Sequence, residues 1–167
     1  LSLDEIYDLA KKTLLANGCD DETASILSDL IRNAERDGSL SHGLFRLPAY
    51  VSGLKSGKIN GKGKPEIKKI SASVIKVQGN NCLAPLVLNK GIPELIKAAK
   101  ENGVAVLAIN NSHHMAAMWP ETEKLAEEGL VAFACTSYKP AVAPAGAIKP
   151  LFGTNPISFA WPRPGKT

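Results

Sequence analysis

Aromatic residues make up only 5% of the 167-residue chain, and no apolar run approaches the roughly 20 residues that cross a bilayer. The first shortage argues against a surface of base-stacking platforms. The second, with an N-terminus that lacks a basic, apolar, small-residue leader, makes the expectation a soluble, cytoplasmic protein with no membrane partner. Cysteine is scarce too. Cys19, Cys82 and Cys135 lie far apart with no CxxC, which excludes a disulfide framework and fits a reducing compartment. Each is expected to be a small buried apolar residue. Missing as well are a GxGxxG after a strand and a GxxxxGK[ST], so neither a Rossmann dinucleotide site nor a P-loop is indicated.

What is present is ordinary for a globular chain: 44% hydrophobic and 22% charged residues, a composition that excludes a disordered tail. A chain of this length can bury roughly two-thirds of its unfolded surface around one core. Charge is unevenly spread. Between Lys55 and Lys76 stand seven lysines and one acid, Glu66, so that segment carries +6 and the rest of the chain −2. Without arginine or interleaved aromatics the segment reads as a solvated loop and strand face. A nucleic-acid patch or a lysine-lined mouth for a small anion are the alternatives.

The first forty residues read as helices. Ser2 and Glu5 form a capping box ahead of an apolar face of Leu3, Ile6, Leu9, Ala10 and Leu14, and Asn17-Gly18 ends that helix. Asp20 or Asp21 caps a second helix with Ala24, Leu27, Leu30, Ile31 and Ala34 inward. Ser41 could cap a third running through Leu44, Leu47, Val51 and Leu54, unless Pro48 moves its start to near Leu47. Period-two alternation predicts strands over 66–70 and 73–77, then helices over 86–101 and 120–128. Continuous apolar runs at 104–109, 130–136 and 157–161 predict strands buried on both faces. The fold class is therefore α/β, with an N-terminal helical part over residues 1–64 and an α/β part over 65–167. The start without Met and the terminal turn suggest that the functional unit includes further sequence.

Three polar segments could carry chemistry. In the first, His42 and Arg46 would share a face if helical. A guanidinium holds a carboxylate through two parallel hydrogen bonds, while an imidazole exchanges one proton near neutral pH, with Ser41 able to orient the ring. A capping histidine and a surface ion pair would explain the same residues. The second segment, residues 110–117, follows a strand and precedes a helix, a place where α/β sheets bind ligands. Its small Ala116 and Ala117 would let backbone amides approach a phosphate. Zinc is disfavoured, because the adjacent His113 and His114 have no further ligand at suitable spacing, and no metal is expected. The third is a turn before a strand in which Gly153, Thr154 and Asn155 offer hydroxyl and amide groups.

Taken together, Ser41-His42-Gly43-x-x-Arg46-x-Pro48, Asn111-Ser112-x-His114, and Pro144-x-Gly146 running to Gly153-Thr154-Asn155-Pro156 resemble the malate/L-lactate dehydrogenase family of the non-Rossmann type. Within it the run from Asn110 to Pro120 and Lys149-Pro150-Leu151-Phe152-Gly153 look most like the Δ1-piperideine-2-carboxylate/Δ1-pyrroline-2-carboxylate reductases. The resemblance implies a mixed-sheet, non-Rossmann NAD(P)-binding domain, incomplete in this chain, in a homodimeric oxidoreductase that uses NADPH, or alternatively NADH. It implies that His42 donates a proton with Ser41 as relay partner, and that Arg46 holds the substrate carboxylate. Thr154 and Asn155 would meet substrate or nicotinamide, and His114, Met115, Ala116, Ala117 and Met118 would line the cofactor. It also places a relay aspartate, in an Asp-x-x-Thr-Ser segment, beyond Thr167. The implied reaction is hydride transfer to C2 of a cyclic 2-imino acid. A malate, lactate or ureidoglycolate-type 2-hydroxy acid dehydrogenase, a non-enzymatic basic binding module, and an inactive fragment that only dimerises remain the alternatives.

Overall fold

The computed structural model describes residues 1–113, 115–163 and Gly165. The chain forms two compact units, Leu1–Ala117 and Met118–Thr167. In the first, helix α1 (Leu3–Ala16) begins at Ser2, whose hydroxyl accepts from the Glu5 amide while the Glu5 carboxylate accepts from the Ser2 amide. Helix α2 (Asp21–Arg36) is capped by the Asp20 carboxylate, which accepts from the Thr23 amide at 2.9 Å. Of the expected inward faces, Ile6, Ala10, Leu14, Ala24, Leu27 and Ile31 meet in one core with Leu30 packed against it at partial burial, whereas Leu3 and Leu9, 39% and 46% exposed, stay outside it.

The third helix starts where Pro48 requires. Inside a helix its ring would collide with the Leu44 carbonyl, so α3 (Leu47–Lys55) begins one residue before it. Ser41 is therefore not its cap. Residues Leu40–His42 and Leu44–Arg46 instead form two separate 3-10 turns joined at Gly43. The helical spacing of His42 and Arg46 predicted from sequence is thus interrupted midway.

Strands β1 (Glu66–Lys69), β2 (Val74–Leu83) and β3 (Val106–His113) build a three-stranded mixed sheet, with β1 antiparallel and β3 parallel to β2. Strand β2 runs well past the predicted end. Asn80 and Asn81 adopt left-handed conformations, and the register with β3 shifts between Gln78 and Cys82. Helix α4 (Ala84–Asn102) closes at Gly103, whose φ of +78° suits glycine. It covers one sheet face, where Ile75, Val77, Leu86, Val87 and Ala98 are buried. Leu83 joins the helical core, and Lys90 pairs with Glu22 of α2. These contacts tie the sheet to the helices, so the first unit extends to Ala117, past the sequence-based division at residue 64.

The smaller unit holds α5 (Trp119–Glu127) and an antiparallel pair, β4 (Ala132–Cys135) with β5 (Ile157–Ala160). The Thr122 and Ser158 hydroxyls hydrogen-bond at 2.7 Å on the covered side. The expectation of strands buried on both faces fails for β3, β4 and β5. Strand β3 sits at a sheet edge with α4 on one side, leaving Val106 exposed. In the smaller unit α5 covers one face only, so Phe133 and its cross-strand partner Phe159 are each 62% exposed. The same alternation exposes Cys135, against expectation, while Cys19 and Cys82 are buried. Burial drives the Cys19 thiol up to about 11. All seven Lys55 to Lys76 lysines are exposed, and Lys64 pairs with Asp20 at 3.3 Å. No helix among the described residues is long and apolar enough to cross a membrane.

Candidate functional site

Helix α2 ends at Asp37, and the chain turns back so that the Ser39 amide donates to the Ala34 carbonyl at 2.8 Å. The first 3-10 turn then sets His42 between two hydroxyls. Ser41 Oγ lies 3.0 Å and Ser39 Oγ 3.3 Å from His42 Nδ1. Nδ1 has one in-plane hydrogen-bond site, so it bonds one of these hydroxyls at a time, and either bond orients the ring. Ser39, three residues before His42, escaped the sequence reading, although its spacing was the available signal.

At the joint, Gly43 is buried against the Glu35 side chain. The Glu35 carboxylate accepts from the Leu44 amide at 2.7 Å. The second turn ends at Arg46, close enough to Tyr50, four residues further on, for its charge to act on the phenol. Tyr50 is 1% exposed, and its hydroxyl and Arg46 Nε are buried atoms with no hydrogen-bond partner among the described residues. Burial pushes the Tyr50 phenol well above its ordinary range, while the Arg46 charge works the other way. A neutral phenol donor beside a permanent cation is chemistry suited to an anionic acceptor. Tyr50 too was missed from sequence, although it shares with Arg46 the spacing that drew attention to His42.

The remaining candidates fall in two other segments of the chain. Met115 packs against the helical core, and Ala116 and Ala117 are buried at the end of the first unit. Met118, also buried, opens the second unit, and His114 falls outside the described residues. In the smaller unit Thr154 and Asn155 are exposed. The Asn155 side-chain oxygen accepts from the Tyr138 amide at 3.1 Å, and its backbone is left-handed at φ +44°. Among the described residues no group of three His, Cys, Asp or Glu side chains could hold a metal ion.

The profile of the malate/L-lactate dehydrogenase family matches residues 1–167. The chain belongs to that family. It is 42% identical over 164 residues to Δ1-pyrroline-2-carboxylate reductase 1 of Burkholderia ambifaria, covering 98% of this chain and 48% of the relative. It is 40% identical over 165 residues to the (2R)-3-sulfolactate dehydrogenase (NADP+) of Chromohalobacter salexigens, covering 99% of this chain and 49% of the relative. Among solved structures, the Δ1-piperideine-2-carboxylate reductase of Pseudomonas syringae superposes with a TM-score of 0.93 at 42% identity, over 99% of this chain and 50% of that one. This malate/L-lactate dehydrogenase family chain thus spans about half the length of the curated relatives it matches. Its residues fit the nicotinamide cofactor such relatives imply. The side chains of Ala116 and Ala117 after β3 are small and uncharged, the residue type that lets backbone amides approach a phosphate.

Proposed function

We propose that the protein is an NADPH-dependent reductase of a cyclic 2-imino acid, Δ1-pyrroline-2-carboxylate or Δ1-piperideine-2-carboxylate. One observation carries this reading: two desolvated donors, Arg46 Nε and Tyr50 Oη, lack an acceptor one helical turn apart, in the segment that also fixes His42. A buried donor without a partner costs about 1–3 kcal/mol, and a substrate carboxylate would remove that penalty. The relatives named for imino acid reduction support the substrate class.

On this reading Arg46 holds the carboxylate and so presents C2 at near-attack distance. His42, its Nδ1 anchored by Ser39 or Ser41, gives a proton from Nε2 to the ring nitrogen. The π pair of the C=N bond moves to nitrogen, where that proton is taken up, and the product is a cyclic 2-amino acid. A nicotinamide cofactor held there would supply the hydride that C2 receives. Met115, Ala116, Ala117, Met118 and His114 are assigned to hold the cofactor, with NADH as the alternative to NADPH, and Thr154 and Asn155 to meet substrate. A cytoplasmic homodimer belongs to the same reading.

Purified protein is expected to turn over both imino acids with NADPH, and His42→Ala to lower turnover roughly 10²–10⁴-fold with cofactor affinity retained. Full activity in that variant would remove His42 from the mechanism. The sulfolactate relative favours a second reading, a 2-hydroxy acid dehydrogenase in which the proton goes to a keto oxygen. Comparing turnover of the imino acids with that of pyruvate separates the two.

A further inference from the structure

We propose that Glu35 is a positioning residue for His42 and Arg46, and that Gly43 is glycine because the Glu35 carboxylate occupies the volume a Cβ would need. The inference rests on the assignment of His42 and Arg46 to the site. Pro48 keeps α3 from extending back toward Ser41, so the segment ahead of it cannot be stabilised as one continuous helix. It forms instead two three-residue 3-10 turns, whose hydrogen-bond geometry is poor and which run only short distances. Such a pair needs an external tie at the joint, and Glu35 supplies it from the last turns of α2. Its Oε1 accepts from the Leu44 amide at 2.7 Å, between the two functional side chains. A Cβ built on Gly43 would stand 2.1 Å from that same oxygen and 2.6 Å from Cδ. Carboxylate and glycine are therefore one device: the empty Cβ position admits the oxygen, and the oxygen orients the Leu44 peptide. A hydrogen bond at this point ties the turn bearing His42 to the turn bearing Arg46.

The test uses Glu35→Gln, Glu35→Ala, Gly43→Ala and the double variant Glu35→Ala/Gly43→Ala. Gln keeps an acceptor oxygen of the same reach. Expected for Glu35→Ala and Gly43→Ala is a fall in kcat/KM for the imino acid of about 10- to 100-fold. Cofactor affinity should stay within about twofold in both, and Glu35→Gln should recover most of the activity. The double variant should be no worse than the poorer single one, since both remove the same contact. Exchange of the Leu44 amide with solvent deuterium reports the tie without turnover: protection should be lost in Glu35→Ala and Gly43→Ala and kept in Glu35→Gln. If His42→Ala is impaired while Glu35→Ala matches wild type, or if Leu44 exchanges equally in both, the proposal is overturned. A Glu35→Gln variant as impaired as Glu35→Ala also overturns it. If the wild-type protein reduces neither imino acid, the functional reading fails and the Leu44 exchange still decides the role of Glu35. Should Glu35→Ala not fold, Gly43→Ala carries the comparison.

Discussion

Residues 39–46 of the larger unit and residues 138–155 of the smaller one both carry candidate ligand-contacting side chains, and they are supported differently. In the first, side chains do the holding. Glu35 ties the Leu44 amide, Ser39 and Ser41 flank His42, and Leu47 and Tyr50 are buried beneath. In the second the backbone does most of it. The Val142 amide donates to the Phe152 carbonyl at 2.8 Å, Gly153 packs on the Tyr138 carbonyl, and Asn155 receives the Tyr138 amide. A side-chain tether can swing away when its partner changes, whereas a backbone contact moves only with the chain. That difference predicts where substitutions will cost function and where they will cost stability.

After His42→Ala, the largest effect should come from Arg46→Ala. Removing a charged partner from a desolvated ion contact typically costs 2–5 kcal/mol, so kcat/KM for the imino acid should fall about 30- to several thousand-fold. Steady-state kinetics would check this, and an unchanged kcat/KM would break the comparison at its functional end. Next is glycine replacement in each segment. Alanine at Gly153 meets a backbone oxygen at 2.1 Å, so Gly153→Ala should destabilise by about 1–3 kcal/mol. Gly43→Ala meets only the end of a flexible carboxylate and should cost about 1 kcal/mol, the net value of the hydrogen bond it displaces. Urea unfolding of both variants measures the contrast, which disappears if Gly43→Ala proves the more costly.

Asn155→Ala comes third, at about 1–2 kcal/mol, because alanine tolerates the left-handed backbone poorly and cannot receive the Tyr138 amide. Asn155→Gly should restore the backbone part alone. The smallest expected effect concerns α2, whose last turns carry Glu35. Asp20→Ala removes its cap and should cost about 1 kcal/mol. Burial acts to raise the Asp20 carboxyl, but the hydrogen bonds from Thr23 and Lys64 together outweigh it and hold it below its ordinary 3.8. A depressed value in the folded state means the contribution is present above pH 3.8 and is lost as pH falls through the lower folded value. Urea midpoints across acidic pH should therefore drop more steeply for wild type than for Asp20→Ala.

Much of the helical layer could be read residue by residue. The Ser2–Glu5 box, an aspartate cap at 20 or 21 and most of the inward faces of α1 and α2 were legible, Leu3 and Leu9 excepted, because caps and amphipathic stripes are local relations within four residues. The strands were legible in type and poorly legible in burial. An apolar run such as 104–109 does not say whether a second layer covers its far side, and in this structure α4 covers only one. For the candidates His42 and Arg46 the shared helical face was conditional on one helix through both; Pro48 starts α3 at Leu47 instead, as the alternative reading allowed, and the two residues lie in separate 3-10 turns.

Local chemistry in the sequence thus determined the limits of α1 and α2 and the mixed α/β character, and it made His42 and Arg46 candidates for proton exchange and carboxylate binding. Tertiary structure alone decided that Glu35, from a different helix, meets the Leu44 amide across Gly43, and that Tyr50 is sealed beside Arg46. Those contacts depend on how elements pack in three dimensions, and packing distance is not encoded in the spacing of residues along a chain.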